Sequence, residues 1–171
     1  MSGLKVVEGN LKGDKIMKTR YYLAYGSNLN LSQMRGRCPF ARPIGTAELK
    51  DYTLLFKGSK TGNYLTVEPK EGDSVPEGVW EVTPHDERHL DFYEGYPNFY
   101  YKKDLKLPVK RFNSKEEELL DVFIYIMHED HPLGLPTDYY LRTCIQGYSA
   151  FHFDLERLRR ALIESDQEEL L

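Results

Sequence analysis

The stretch Tyr21-Tyr22-Leu23-Ala24-Tyr25-Gly26-Ser27-Asn28-Leu29-Asn30 passes from apolar and aromatic residues straight into turn formers. That change predicts a short strand over 21–25 that ends in a tight loop at Gly26. Asn30 stands where a helix N-cap belongs, ahead of Leu31, Met34 and Arg35, and Gly36 and Pro39 close the helix. The first unit is therefore strand, glycine loop, helix. A glycine at the strand end permits backbone angles that other residues avoid, so several N–H groups of residues 26–29 can converge on one point. Such a nest suits a carboxylate or a developing oxyanion. An ordinary strand-to-helix turn explains Gly-Ser-Asn equally well.

Downstream of Pro43 the pattern turns β-like. Strands are expected over 44–49, 52–56, 64–67 and 79–82, separated by Lys50-Asp51 and by residues 58–63 and 71–78, as hairpins of a largely antiparallel sheet. Thr83-Pro84-His85-Asp86 then opens a helix over 84–94, with a hydroxyl cap, Pro in the first turn and Gly95 as its stop. Two further strands are expected near 100–109 and 119–127, joined through Asn113-Ser114-Lys115-Glu116. Helices close the chain over 138–145, with Gly147 as stop, and over 154–163, where Leu155, Leu158 and Leu162 share a face. Residues 1–16 carry three glycines and scattered lysines without an apolar period, and read as a flexible or appended extension. Residues 17–171 are expected to form a single domain.

Composition narrows the partners. The net charge of -4 lacks the positive field that binding to phosphate backbones needs, so nucleic acid is not an expected partner. No run approaches the roughly 20 apolar residues of a membrane span. Two cysteines, Cys38 and Cys144, and a start without the apolar core of a signal peptide point to a reducing cytoplasm. The 13 tyrosines, against 8 Phe and 1 Trp, give aromatic surface with polar tips, fit to line a small-molecule pocket or to face a sheet.

Several familiar chemistries find no support. Gly58-Ser59-Lys60-Thr61 lies between two β segments, where a phosphate loop needs a strand before it and a helix after it. His85 and His89 are four apart on a helix but lack the order of zinc proteases and a third ligand, so no metal is expected. Ser27 has no nucleophile-elbow frame, and neither cysteine has an adjacent base. Glu94, in Leu90-Asp91-Phe92-Tyr93-Glu94-Gly95, is different: the negative end of a helix and Asp91 one turn away both disfavour its ionisation. A glutamate raised in this way, beside Phe92, Tyr93 and Tyr96, suits proton transfer near neutral pH.

Taken in order, these pieces resemble the γ-glutamylcyclotransferase-like superfamily, including its AIG2-like and γ-glutamylamine cyclotransferase branches. The resemblance runs from the Tyr25-Gly26-Ser27-Asn28-Leu29 loop and Arg37-Cys38-Pro39 through Gly78-Val79-Trp80-Glu81-Val82. It continues in Leu90-Asp91-x-x-Glu94-Gly95, Tyr96-Pro97, Tyr100 and Tyr125-Ile126-Met127, and ends in Pro136-x-x-x-Tyr140-x-x-x-Cys144-x-x-Gly147. It implies an α+β fold, a small mixed and mostly antiparallel β-barrel with flanking helices. It also implies that Tyr25, Gly26, Ser27, Asn28 and Leu29 cradle a γ-glutamyl group, that Glu94 is the general acid/base, and that Tyr125 and either Tyr100 or Tyr101 line the pocket. Members often carry Arg two residues after that tyrosine, where Lys102 or Lys103 stands here.

The implied reaction supplies its own nucleophile. The α-amine of a γ-glutamyl compound attacks the γ-carbonyl, closing 5-oxoproline and releasing an amine, so no serine, metal or cofactor is called for. Removal of a γ-glutamyl protecting group in a biosynthesis, and a binding module without turnover, are the alternatives.

Overall fold

A computed structural model describes residues 18–167; the extension expected over 1–16 lies outside them. The chain opens with β1 (Arg20–Ala24), a 3₁₀ turn (Ser27–Leu29) and α1 (Leu31–Arg37). Two long strands follow, β2 (Arg42–Ser59) and β3 (Gly62–Val82), then α2 (Pro84–Tyr93), β4 (Tyr100–Arg111), β5 (Glu117–Met127), α3 (Asp138–Ala150) and α4 (Glu156–Ser165). The five strands close a barrel in the order β1-β3-β2-β4-β5. Every pairing is antiparallel except β1 with β5. This is the mixed, mostly antiparallel barrel with flanking helices that the resemblance implies. Among the described residues, no helix is long and apolar enough to cross a membrane.

Three expectations are corrected. The four strands expected over 44–82 are two: Lys50-Asp51 is a register shift inside β2, where Asp51 takes φ 63° and its carboxylate accepts the Gly72 N–H at 3.0 Å. Asp tolerates that left-handed backbone through short side-chain bonds, so a turn signal here marks a bulge. Residues 71–78, expected as a connection, continue β3, with Val75 and Glu77 wholly buried. Gly147 does not stop α3, which runs on to Ala150. A Cβ on Gly147 would stand 2.7 Å from the Leu29 carbonyl carbon and the Asn30 nitrogen, so the glycine marks a close approach of backbones.

Local chemistry fixes the elements that carry the site. The Asn30 side chain accepts the Gln33 N–H at 3.1 Å as the cap of α1. Its amide nitrogen reaches across to Thr143 O at 3.2 Å and Gln146 Oε1 at 3.0 Å, tying the loop to α3. Thr83 and Asp86 form a capping box at the head of α2, and caps of this kind are worth about 1 kcal/mol. The same helix ends at Tyr93, with Glu94 as its C-cap. Gly95 takes φ 62°, Tyr96 N–H bonds Asp91 O at 2.9 Å, and Gly95 N–H bonds Phe92 O at 3.2 Å. That paired geometry is a Schellman turn, and only a residue at ease with positive φ completes it.

Candidate active site

The end of β1, the start of β4 and the end of β5 meet the 3₁₀ turn and the end of α2 around a cavity of about 300 Å³. Tyr25, Gly26, Ser27, Asn28, Glu94, Tyr100 and Tyr125 lie on its wall. Leu29 does not: it is fully buried, its side chain held between Gly78 of β3 and Gly147 of α3. Of the two tyrosines left open by the sequence, Tyr100 is on the wall and Tyr101 is not. Tyr100 Oη donates to Leu65 O at 2.8 Å, whereas the Tyr101 hydroxyl bonds Glu129 on the outside.

The wall also holds residues outside the expected substrate set. Tyr22, Tyr64, Leu65, Phe99 and Tyr140 also lie on it, with Phe92, Tyr93 and Gly95 around Glu94. Tyr140 Oη accepts the Leu65 N–H at 3.1 Å, so Leu65 is gripped from both sides by tyrosine hydroxyls. Tyr64 meets Tyr140 and Phe99 edge-on, with ring centres 5.2 and 6.2 Å apart, contacts worth about 0.5–1.5 kcal/mol each beyond burial. Tyr64 and Leu65 open β3 in a local hairpin with β2, and Leu65 is tied to the mouth by Tyr100 and Tyr140 from far along the chain, which a local pattern does not reveal. Tyr140 does carry a signal, as a member of the closing motif.

Gly26 has φ -130°, so space restricts it: a Cβ there would lie 3.2 Å from Tyr140 Oη and 3.4 Å from Leu65 Cβ. In the 3₁₀ turn, Leu29 N–H bonds Gly26 O and Asn30 N–H bonds Ser27 O, both at 3.0 Å. The Ser27 and Asn28 N–H groups, ahead of these, have no acceptor among the described residues. Leading N–H groups of a helical turn are donors in search of an acceptor.

Glu94 is half-buried at the turn after α2. Burial pushes its carboxyl up to about 7, and Arg37 pulls in the opposite direction. This corrects the expectation that Asp91 raises it: Asp91 is engaged elsewhere, with Lys102 at 2.9 Å and the Tyr125 hydroxyl at 2.6 Å. Glu94 Oε1 accepts from Asn28 Nδ2 at 3.3 Å, and the same nitrogen donates to Tyr22 Oη at 3.0 Å. Burial also pushes the wall tyrosines Tyr22, Tyr25, Tyr100 and Tyr140 upward, so they remain neutral donors. The site thus offers one proton carrier titrating near neutrality, two open N–H groups and a ring of hydroxyls. Among the described residues no cluster of His, Cys, Asp or Glu is arranged to hold a metal.

The family model for "Gamma-glutamyl cyclotransferase, AIG2-like" matches residues 22–142, which hold the end of β1, the loop, the Glu94 turn and the start of α3. The chain belongs to this family. Among solved structures it is similar to a gamma-glutamyl cyclotransferase at 24% identity and TM-score 0.72, covering 84% of this chain and 86% of that one. It resembles an uncharacterized protein from Homo sapiens at 25% identity and TM-score 0.71, with the same coverage. A yeast gamma glutamyl cyclotransferase specific to glutathione shares the fold at 14% identity and TM-score 0.52, over 86% of this chain and 95% of that one. No curated protein sequence matches. Family and fold together support a γ-glutamyl cyclotransferase-type function.

Proposed function

We propose that this chain cyclises the γ-glutamyl group of a γ-glutamyl amino acid or γ-glutamylamine to 5-oxoproline and releases the free amine, with Glu94 as general acid/base. The observation that carries the reading is Glu94 itself. It is a carboxyl on the wall of a small cavity, raised to about 7 by burial and held by one amide hydrogen bond. A proton carrier works best with a pKa near the working pH.

In this scheme the substrate α-amine, in its neutral form, attacks the γ-carbonyl carbon. A C–N bond forms, the carbonyl electrons move onto oxygen, and the Glu94 carboxylate takes a proton from the attacking nitrogen. The Ser27 and Asn28 N–H groups hold the oxyanion, a type of contact worth about 3–4 kcal/mol where it is made in the transition state. Collapse re-forms the carbonyl and breaks the old amide bond, while protonated Glu94 returns its proton to the leaving nitrogen. Tyr25, Tyr100 and Tyr125 wall the folded glutamyl chain, and holding it folded removes entropy from ring closure. Leu29 acts from the core, by seating the loop.

The test is a panel of γ-glutamyl amino acids, γ-glutamylamines, γ-glutamyl-lysine and glutathione, incubated with the protein and read by mass spectrometry. Release of 5-oxoproline by wild type and its loss in Glu94→Gln support the assignment. Free glutamate as the sole product would mean hydrolysis, and no product from any compound would remove the reading.

A further inference from the structure

Arg37 is the last residue of α1 and stands outside the cavity wall, yet its guanidinium binds the residues that hold Glu94. Nη1 donates to Asn28 Oδ1 at 2.6 Å and to Ser27 Oγ at 3.4 Å, and Nη2 donates to Gln33 Oε1 at 2.7 Å. The guanidinium carbon lies 3.6 Å from the centre of the Tyr93 ring. Asn28 is buried, and a carboxamide can turn either end toward a neighbour. With its oxygen taken by a cation, its nitrogen is left to serve Tyr22 and Glu94. Turned over, the amide would aim oxygen at a carboxylate and nitrogen at a guanidinium, exchanging two favourable bonds for two repulsive contacts.

We propose that Arg37 is the positioning residue of this site: it fixes which end of Asn28 faces Glu94 and sets a positive charge one amide away from that half-buried carboxyl. The inference rests on the reading of Glu94 as the acid/base. Other titratable groups face Glu94 from every neighbouring element. They are Tyr22 of β1, Tyr25 just after it, Cys38 after α1, Tyr93 of α2, Tyr100 of β4, Tyr125 of β5 and Tyr140 of α3. Burial pushes all of these upward, which leaves them neutral around pH 7 and without a countering charge to offer. Asp91, on the helix that leads to Glu94, and Lys102 of β4 neutralise each other at 2.9 Å. Among the described residues, Arg37 is the charge that opposes the burial of Glu94.

An opposite charge favours the ionised form, so removing Arg37 raises the Glu94 midpoint further. In Arg37→Gln the expected rise is roughly 1 pH unit, from about 7 in the wild type, read by carbon NMR on glutamate-labelled protein without substrate. The acid limb of the kcat/KM profile for 5-oxoproline release moves up with it. Arg37→Lys keeps the charge but cannot hold Asn28 and Gln33 together, so it restores the midpoint while kcat stays reduced. Asn28→Ala leaves the charge and cuts the link, and shifts the midpoint less. Should Arg37→Gln fail to fold, Arg37→Met keeps the aliphatic stem on Tyr93 and carries the same expectation. An unmoved midpoint in a folded variant, or a fall in kcat with an unchanged pH profile, overturns the proposal. A moved midpoint with no 5-oxoproline from any γ-glutamyl compound keeps the coupling and removes the reaction.

Discussion

Two glutamates of this fold lose water, Glu77 wholly and Glu94 in part, and they are treated in opposite ways. Glu77 sits in β3 opposite Ala47, wholly buried, and neither of its oxygens finds a partner among the described residues. Burial raises it well above the ordinary carboxylate range, and Glu48 adds to the rise. Glu94 is also raised by burial, but Asn28 donates to it and Arg37 holds it near 7. One carboxyl is neutral in the wall; the other is poised at a cavity. Desolvation alone therefore does not mark a working acid. What separates the two is a donor, a counter-charge and an opening.

The largest expected effect tests that separation directly. Glu94→Gln lowers turnover by roughly 10² to 10⁴-fold, the usual contribution of general acid/base catalysis, while Glu77→Gln leaves it near the wild-type rate. Steady-state assays of 5-oxoproline release decide; a reversed pattern would give the role to Glu77. Asp91→Asn frees Lys102 and costs stability, and if it abolished turnover in a folded protein that retained activity as Glu94→Gln, Asp91 would replace Glu94.

The opening is tested at Gly26. A valine there meets Tyr140 and Leu65 and fills the space beside the loop, so Gly26→Val loses 5-oxoproline binding by more than about tenfold. Its melting temperature falls moderately, and Ser27→Ala is milder in both respects. Calorimetric titration beside thermal unfolding separates the outcomes, since a purely structural turn would lose binding and stability in proportion.

Stability against pH distinguishes the two carboxyls a third way. Both are raised in the fold, so each contributes stability that is complete below the ordinary carboxylate range and lost as pH climbs to the folded value. For Glu94 that loss runs through about pH 7 and is complete roughly one unit above it, whereas Glu77, raised by burial with no donor or counter-charge, loses its contribution over a window of its own. In melts from about pH 5 to about pH 9, Glu94→Gln removes the part of the slope that runs through neutrality, and Glu77→Gln leaves that part in place while it flattens the curve over its own window. Glu77→Leu, which removes an unpartnered polar group, stabilises at pH 8 by about 1–3 kcal/mol. A Glu94→Gln curve that keeps the wild-type slope around pH 7 would erase the contrast.

The smallest effect concerns neighbours in β4. Tyr100→Phe loses the bond to Leu65 O and about 1 kcal/mol, with slower turnover, whereas Tyr101→Phe changes turnover little. Equal losses in the assay would mean that the wall does not distinguish them.

The legible parts of this molecule are those whose chemistry is local. The Asn30 cap, the Thr83-Pro84 opening and the Gly95 turn are each decided within a few residues, and they fix both ends of the site. The role of Arg37 was hidden because its partners Asn28 and Tyr93 come from separate elements. Its trace in the sequence is the Arg37-Cys38-Pro39 stretch at the end of a short helix, which says nothing of those partners. Tyr64, Leu65 and Phe99 were hidden by the same distance. Asp51 and Gly147 misled for a related reason: each looks like punctuation, and tertiary contact turns one into a bulge and the other into a contact point.

Leu29 gives that contact point a meaning for anyone who wishes to move the loop elsewhere. Its side chain is a key in a lock cut by two missing side chains, Gly78 on the barrel and Gly147 on α3. The portable unit is therefore not the short sequence after β1 but that sequence together with a strand and a helix far along the chain. A graft that copies only Tyr25 to Leu29 onto another barrel would carry the letters of the site without its seat, and any natural drift at Leu29 must be answered at both glycines.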